Sequence, residues 1–200
     1  MEQGYATFAE AAHAYAGLVR EIPDDAWERP GLGEWTVRDL VGHTSRSLIT
    51  VETYLDRPAQ SEEVSGPAEY YRLAGAVDPA SVAERGREAG RALGSEPSAF
   101  VDDLVVRVLA LVADAADPVI STALGGMRLS QYLPTRTFEL VVHALDISSA
   151  TRLPAPAYGD AVLNEVVTLA ATAAVRQGRG SEVLRALTGR GSLPTGFSVV

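Results

Sequence analysis

Apolar residues recur at steps of three and four along most of the chain, which is the spacing of one face of an α-helix. This pattern predicts long helices over residues 5–22, 37–56, 79–93, 97–115, 136–150 and 157–176, and short ones at 68–73 and 181–187. The alternation typical of strands is scarce. Residues 117–132, with Gly125 and Gly126 adjacent, predict an irregular or strand-like crossover, and residues 197–200 can add one short strand.

These elements predict an all-α protein, an antiparallel helical bundle in which each helix buries one apolar face. We expect residues 1–152 to form the bundle and residues 153–200 to form C-terminal helices and a tail packed on it. Polar residues mark the helix starts. Thr36, with Asp39 three residues later, predicts a capping box. Thr135 and Ser181 are positioned to cap the helices that follow them.

The helix over 136–150 contains the candidate site. Glu139 and His143 lie four residues apart, so both side chains project from one helix face, one turn apart. A carboxylate and an imidazole arranged in this way can share a metal ion, as in bundles whose metal sites lie between facing helices. His43, beside the buried stripe of the second long helix, can supply a third ligand. Two imidazoles and one carboxylate form a common three-ligand set.

Arg136 and Asp146 lie three residues before and after these ligands and are the candidate catalytic side chains. Arg136 can orient Glu139 or hold a substrate carboxylate, and Asp146 can accept the His143 N–H that a metal does not use. The alternative is structural, because an acid four residues before a histidine is a common spacing. In that case Glu139 pairs with Arg136 on the helix surface, and His143 is a satisfied core histidine.

Four other side chains are assigned structural roles. Asp39 lies four residues before His43, but a first-turn acid also suits a helix cap and the helix dipole. His13 falls between the apolar positions of the first helix and is expected to be exposed. Trp27 and Trp35 are expected to belong to the core rather than to stack on a ligand.

Composition narrows the functions that the chain can perform. The formal charge of −9 over 200 residues argues against a nucleic-acid surface. No apolar run approaches the roughly 18 residues of a membrane helix, and the N-terminus does not resemble a signal peptide. We therefore expect a cytoplasmic protein that acts on a small molecule. Because the chain has no cysteine, any thiol used in its chemistry must arrive on a small molecule.

Two motifs carry a family resemblance. The segments EWTVRDLVGH at 34–43 and RTFELVVHALDI at 136–147 together resemble the mycothiol-dependent maleylpyruvate isomerase family, one of the DinB/YfiT-like metalloenzymes of actinobacteria. The absence of lysine, with all 17 basic residues arginine, agrees with such a source. The resemblance implies a DinB-like antiparallel four-helix bundle. It also implies Zn2+ or another divalent metal on His43, Glu139 and His143, and mycothiol as cosubstrate.

The resemblance further implies a metal-dependent enzyme that uses mycothiol to isomerise, or to transfer thiol to, a small electrophilic substrate. The isomerase has a larger second domain that contributes to its substrate site, whereas residues 153–200 follow the bundle here. Maleylpyruvate itself is therefore not assigned as the substrate. A non-catalytic bundle that binds a ligand or partner protein stays open, as does a hydrolase with Glu34, Asp39 or Asp146 as base. Both a monomer and a homodimer are compatible with the sequence.

Overall fold

The computed structural model describes residues 2–199, which are predominantly helical, as the apolar pattern predicts. Within this range the helices are α1 (Glu2–Arg20), α2 (Val37–Leu55), α3 (Pro67–Ala74), α4 (Pro79–Ala92), α5 (Pro97–Asp114), α6 (Leu129–Thr151), α7 (Asp160–Arg176) and α8 (Gly180–Leu187). An antiparallel hairpin of β1 (Val119–Thr122) and β2 (Gly125–Arg128) connects α5 to α6. The predicted crossover at 117–132 is thus a short hairpin followed by the start of α6.

Four long helices surround the main core. Helix α1 packs against α5 and α6, and α2 packs against the same two helices, so that the apolar faces of all four meet. Fully buried side chains from each of them fill the centre: Phe8, Tyr15, Leu40, Leu48, Leu104, Leu140 and Ile147. Helix α4 covers α2, α7 contacts α1, α3 and α6, and α8 packs on α7. No helix among residues 2–199 is long and apolar enough to cross a membrane.

Local capping signals predict one helix start correctly. At the start of α2, the Thr36 hydroxyl accepts from the Asp39 backbone N–H at 3.2 Å, and the Asp39 carboxylate accepts from the Thr36 N–H at 3.1 Å. This is the predicted capping box. It satisfies two backbone N–H groups that the helix itself leaves without partners. The role of Asp39 is therefore structural, as a capping residue.

The predicted cap at Thr135 is wrong, because α6 begins at Leu129 and passes through Pro134. The cap comes instead from a residue before the hairpin. The Asp117 carboxylate accepts from the Ser130 N–H at 2.7 Å and from the Ser130 hydroxyl at 3.0 Å. A proline in the second turn removes one hydrogen bond from the helix, and the Asp117 cap offsets this loss. Because Asp117 is twelve residues before the start of α6, local sequence signals do not identify it as the cap.

Two smaller predictions near the C-terminus also fail. Ser181 does not cap α8, which begins at Gly180 with Arg179 in the cap position and no side-chain cap. Residues 197–199 are not in a strand, and Val200 lies outside the described residues. A short apolar segment forms a stable strand only when it pairs with a neighbouring strand. The sheet among the described residues contains β1 and β2 alone, so residues 197–199 have no such neighbour.

Candidate metal centre

His43, Glu139 and His143 meet where α2 packs against α6, each partly buried. Their candidate ligand atoms all lie within 4.8 Å of one another. The two imidazole rings have centroids 5.0 Å apart and planes at 82°. Helix α2 contributes His43, and α6 contributes the other two, one turn apart as predicted. The packing of α2 beside α6 therefore joins residues almost a hundred positions apart in sequence.

Contacts along these helices establish that α2 and α6 run antiparallel. His43 lies against His143, whereas Thr50, two turns later on α2, accepts a 2.8 Å hydrogen bond from the hydroxyl of Tyr132. The α6 partner thus moves backward along the sequence as α2 advances. This register brings the polar positions of both helices to one internal face.

Glu139 is held by two neighbours. The Tyr71 hydroxyl donates to its Oε1 at 2.7 Å, and His143 Nε2 lies 3.2 Å from its Oε2. Burial alone would raise the pKa of Glu139, but the His143 hydrogen bond, the nearby charge of Arg136 and the Tyr71 hydroxyl hold it below the usual value. Glu139 is therefore anionic near neutral pH, as a metal ligand must be.

His143 is oriented by its second ring nitrogen. Its Nδ1 lies 3.0 Å from Asp146 Oδ2, the contact predicted for these two residues. Burial alone would lower the pKa of His143, but the hydrogen bonds with Asp146 and Glu139 raise it to about 9. Asp146 thus occupies Nδ1 and leaves Nε2 facing Glu139, an arrangement that fixes the ring of a histidine ligand.

His43 lies in a drier setting. Trp35 stacks on it with ring centroids 4.4 Å apart, and its Nδ1 is buried without a hydrogen-bond partner among the described residues. Burial, followed by the charge of His143, lowers the pKa of His43 to about 4. The ring is therefore neutral near pH 7, the protonation state that a metal ligand requires. Trp35, which the sequence assigns to the core, is partly buried and packs against the core cluster. It also contacts the candidate ligand His43.

The donor set fits a divalent ion. Two imidazoles and a carboxylate converge from two rigid helices, and one buried imidazole nitrogen lacks the partner that buried polar atoms normally have. The side chains of His143 and Glu139 are 14% and 20% exposed, so the site is partly open to solvent. Three protein ligands with access from solvent are the usual form of a catalytic zinc site.

Arg136 does not make the surface pair with Glu139 that the structural alternative requires. Among the described ion pairs it has no carboxylate partner, and the residue is only 8% exposed. Its Nε donates to the Thr135 hydroxyl at 2.9 Å, and its guanidinium lies over the rings of Tyr132 and Tyr70 at 4.8 and 5.3 Å. His13 is exposed, as predicted.

Sequence reasoning missed Tyr71. It lies in α3, within the long segment between α2 and α4, and its hydroxyl also donates to the Thr135 carbonyl at 3.1 Å. No spacing rule connects a tyrosine in this segment to Glu139, which is 68 residues away. Only the packing of α3 on α6 brings the two together.

A family model described as the mycothiol maleylpyruvate isomerase N-terminal domain matches residues 8–148. The chain belongs to this family. The match extends from α1 to near the end of α6, so it includes the three donors and Asp146. The family resemblance predicted from the two motifs is thereby confirmed. No curated protein and no solved structure matches the chain significantly.

The raised pKa of His143 predicts proton release when metal binds. At pH 7 the metal-free protein holds a proton on His143, whose pKa is about 9, and none on His43, whose pKa is about 4. Because a metal takes a neutral imidazole, binding at pH 7 should release one proton. Affinity should rise about tenfold per pH unit up to pH 9 and then level off. Calorimetric Zn2+ titrations in buffers of different ionisation enthalpy measure both, and affinity independent of pH from 7 to 9 would contradict the assignment.

Proposed function

We propose that this member of the family is a divalent-metal-dependent enzyme of the cytoplasm that uses mycothiol to isomerise, or to transfer thiol to, a small electrophilic substrate. We also propose that α1, α2, α5 and α6 form a DinB-like four-helix bundle around the metal. The observation that carries the proposal is the convergence of His43, Glu139 and His143 within a chain of this family. The absence of cysteine supports a thiol supplied by a cosubstrate.

A divalent ion bound by these three residues would lower the pKa of a thiol at the open position, so that thiolate is present near neutral pH. Asp146 fixes the His143 ring, Tyr71 fixes Glu139, and Trp35 covers His43. Positioned side chains of this kind keep ligands in a productive geometry without rearrangement during the reaction.

The thiol sulfur adds to a carbon–carbon double bond conjugated to a carbonyl, and the π electrons move onto the carbonyl oxygen. In an isomerisation, the former double bond rotates and the same sulfur leaves, so the thiol is regenerated. In a transfer, the carbon next to the carbonyl takes a proton and the thioether remains. Both outcomes begin with the same addition, and the substrate decides between them.

Metal-dependent hydrolysis receives less support because the site lacks a free base among the candidate carboxylates. Glu34 pairs with Arg87 at 3.0 Å on the surface, Asp39 is occupied in the α2 cap, and Asp146 is bonded to His143. An activated water needs a group that accepts its proton. All three candidate carboxylates from the sequence have structural partners.

An assay of the metal-loaded protein with mycothiol and conjugated electrophiles tests the proposal. We expect thiol-dependent formation of an isomer or a thioether, and loss of that activity in His43→Ala. The exposed variant His13→Ala should keep it. Treatment with a chelator should abolish the activity, and added Zn2+ should restore it. A metal-loaded protein that neither consumes thiol nor isomerises any electrophile would favour a non-catalytic binding role.

A further inference from the structure

The two oxygens of the Glu139 carboxylate face different neighbours. Oε2 lies 3.2 Å from His143 Nε2, and Oε1 accepts a 2.7 Å hydrogen bond from the Tyr71 hydroxyl. The other ring nitrogen of His143 is occupied by Asp146 at 3.0 Å, so Nε2 is the nitrogen left to bind a metal. The structure therefore distinguishes a carboxylate oxygen beside the candidate ligand His143 from one that is held by α3.

The separation of Glu139 Oε2 from His143 Nε2 suits two ligands of one ion. Zinc bonds of about 2.0–2.1 Å at tetrahedral angles place two ligand atoms roughly 3.3–3.4 Å apart. The observed separation of 3.2 Å is close to this value, so neither side chain has to move far. A divalent ion can therefore take the place of the proton between these two atoms.

Tyr71 is held firmly in place. The residue is only 6% exposed, and its ring packs against Phe138 at 5.2 Å and edge-on against Tyr70 at 5.9 Å between centroids. Helix α3 is itself attached to α7, where Glu69 pairs with Arg176 at 3.4 Å. The hydroxyl therefore reaches Glu139 Oε1 from a buried side chain that has little freedom to move.

The Tyr71 hydroxyl has one hydrogen to donate and two acceptors within reach. These are Glu139 Oε1 at 2.7 Å and the Thr135 carbonyl at 3.1 Å. The shorter contact has the length of a charge-assisted O–H···O⁻ bond, which is roughly twice as strong as a neutral one. The hydrogen is therefore directed mainly to Oε1. An oxygen that accepts this bond is a poorer metal ligand than Oε2, which has no such donor once an ion replaces the proton of His143.

We propose that Tyr71 is a positioning residue that makes Glu139 a one-oxygen ligand, through Oε2 alone. Three single-atom donors leave one position of a tetrahedral ion open. A carboxylate bound through both oxygens would occupy a further position. Tyr71 thus preserves the open position from outside the ligand set. This inference rests on the proposed function in treating the three residues as metal ligands and the open position as the place of the thiol.

Titration of the metal-free protein with Co2+ tests the role of Tyr71, because the visible absorption of Co2+ is strong when it has four ligands and weaker when it has more. The wild type should give the strong four-coordinate spectrum. Tyr71→Phe should absorb severalfold more weakly at saturation and should bind Co2+ about tenfold or more weakly. Tyr70→Phe removes a buried hydroxyl from the same helix, on a ring that packs against Tyr132, and should match the wild type in both measurements.

The spectrum separates positioning from a purely structural role. If Tyr71 only supports the packing of α3, Tyr71→Phe will melt at a lower temperature but will give the wild-type spectrum at saturation, and that result would overturn the proposal. A weak spectrum of the wild type would also overturn it. Because the titration contains no thiol or electrophile, a protein without thiol-dependent activity would contradict the proposed function and leave this inference standing. Absence of Co2+ binding by the wild type would overturn both.

Discussion

Replacing His43 with alanine is expected to reduce bound metal from about one ion per chain to background in protein purified without a histidine tag. A full set of four ligands binds zinc with about 10–16 kcal/mol, so one ligand contributes roughly 3–4 kcal/mol. Its loss weakens affinity on the order of 100- to 1,000-fold. His43 is the candidate ligand on α2, so this variant also tests whether the packing of α2 on α6 forms the site.

Two further variants serve as comparisons for His43→Ala. His13→Ala removes the exposed histidine of α1 and should leave the metal content unchanged. Asp146→Asn keeps all three ligands but weakens the acceptor at His143 Nδ1, so affinity should fall by about 10- to 100-fold. Elemental analysis and competition with a chromophoric chelator measure the series. If His43→Ala retains wild-type metal content, the ion is bound elsewhere and the proposed centre is wrong.

The candidate ligand set could be anticipated because it depends on helix periodicity. Glu139 and His143 must share a face once residues 136–147 are helical, and the stripe of α2 places His43 toward the core. The contact of Asp146 with His143 follows from the same spacing. The neighbours from other elements could not be anticipated. Tyr71 reaches Glu139, and Trp35 reaches His43, through tertiary packing alone.

Some parts of the fold could likewise be predicted from the sequence, and others could not. Long amphipathic stretches identified most helices because tertiary packing and local propensity favour the same state there. The start of α6 could not be identified, because Asp117, on the far side of the hairpin, supplies the cap. The sequence also could not show that Arg136 lacks a carboxylate partner within 4 Å among residues 2–199, because it places Glu139 one helical turn away. A charge pair allowed by spacing forms only when neither group has a better contact.

Gly42→Ala is expected to destabilise the protein by about 2–4 kcal/mol, and thereby to lower its melting temperature by about 10 °C. A Cβ atom at this position would lie 2.2 Å from the Gly90 nitrogen and 2.4 Å from the Ala89 carbonyl carbon. Both are backbone atoms of α4, so no side-chain rotation can relieve the clash, and α2 and α4 must separate. The higher helix propensity of alanine, worth about 1 kcal/mol, is too small to compensate.

The separation of these helices should also weaken the metal centre, because α4 supports the tryptophan that covers His43. Trp35 donates its indole N–H to the Ala83 carbonyl at 3.0 Å and rests against Gly86. Gly17→Ala is the matched control. A methyl group added at Gly17, within α1, would have no neighbouring atom within 4 Å, so this variant should be more stable by about 0.5–1 kcal/mol. Thermal and urea unfolding of metal-free protein compare the two, and equal stability of Gly42→Ala and wild type would exclude the close approach of α2 to α4.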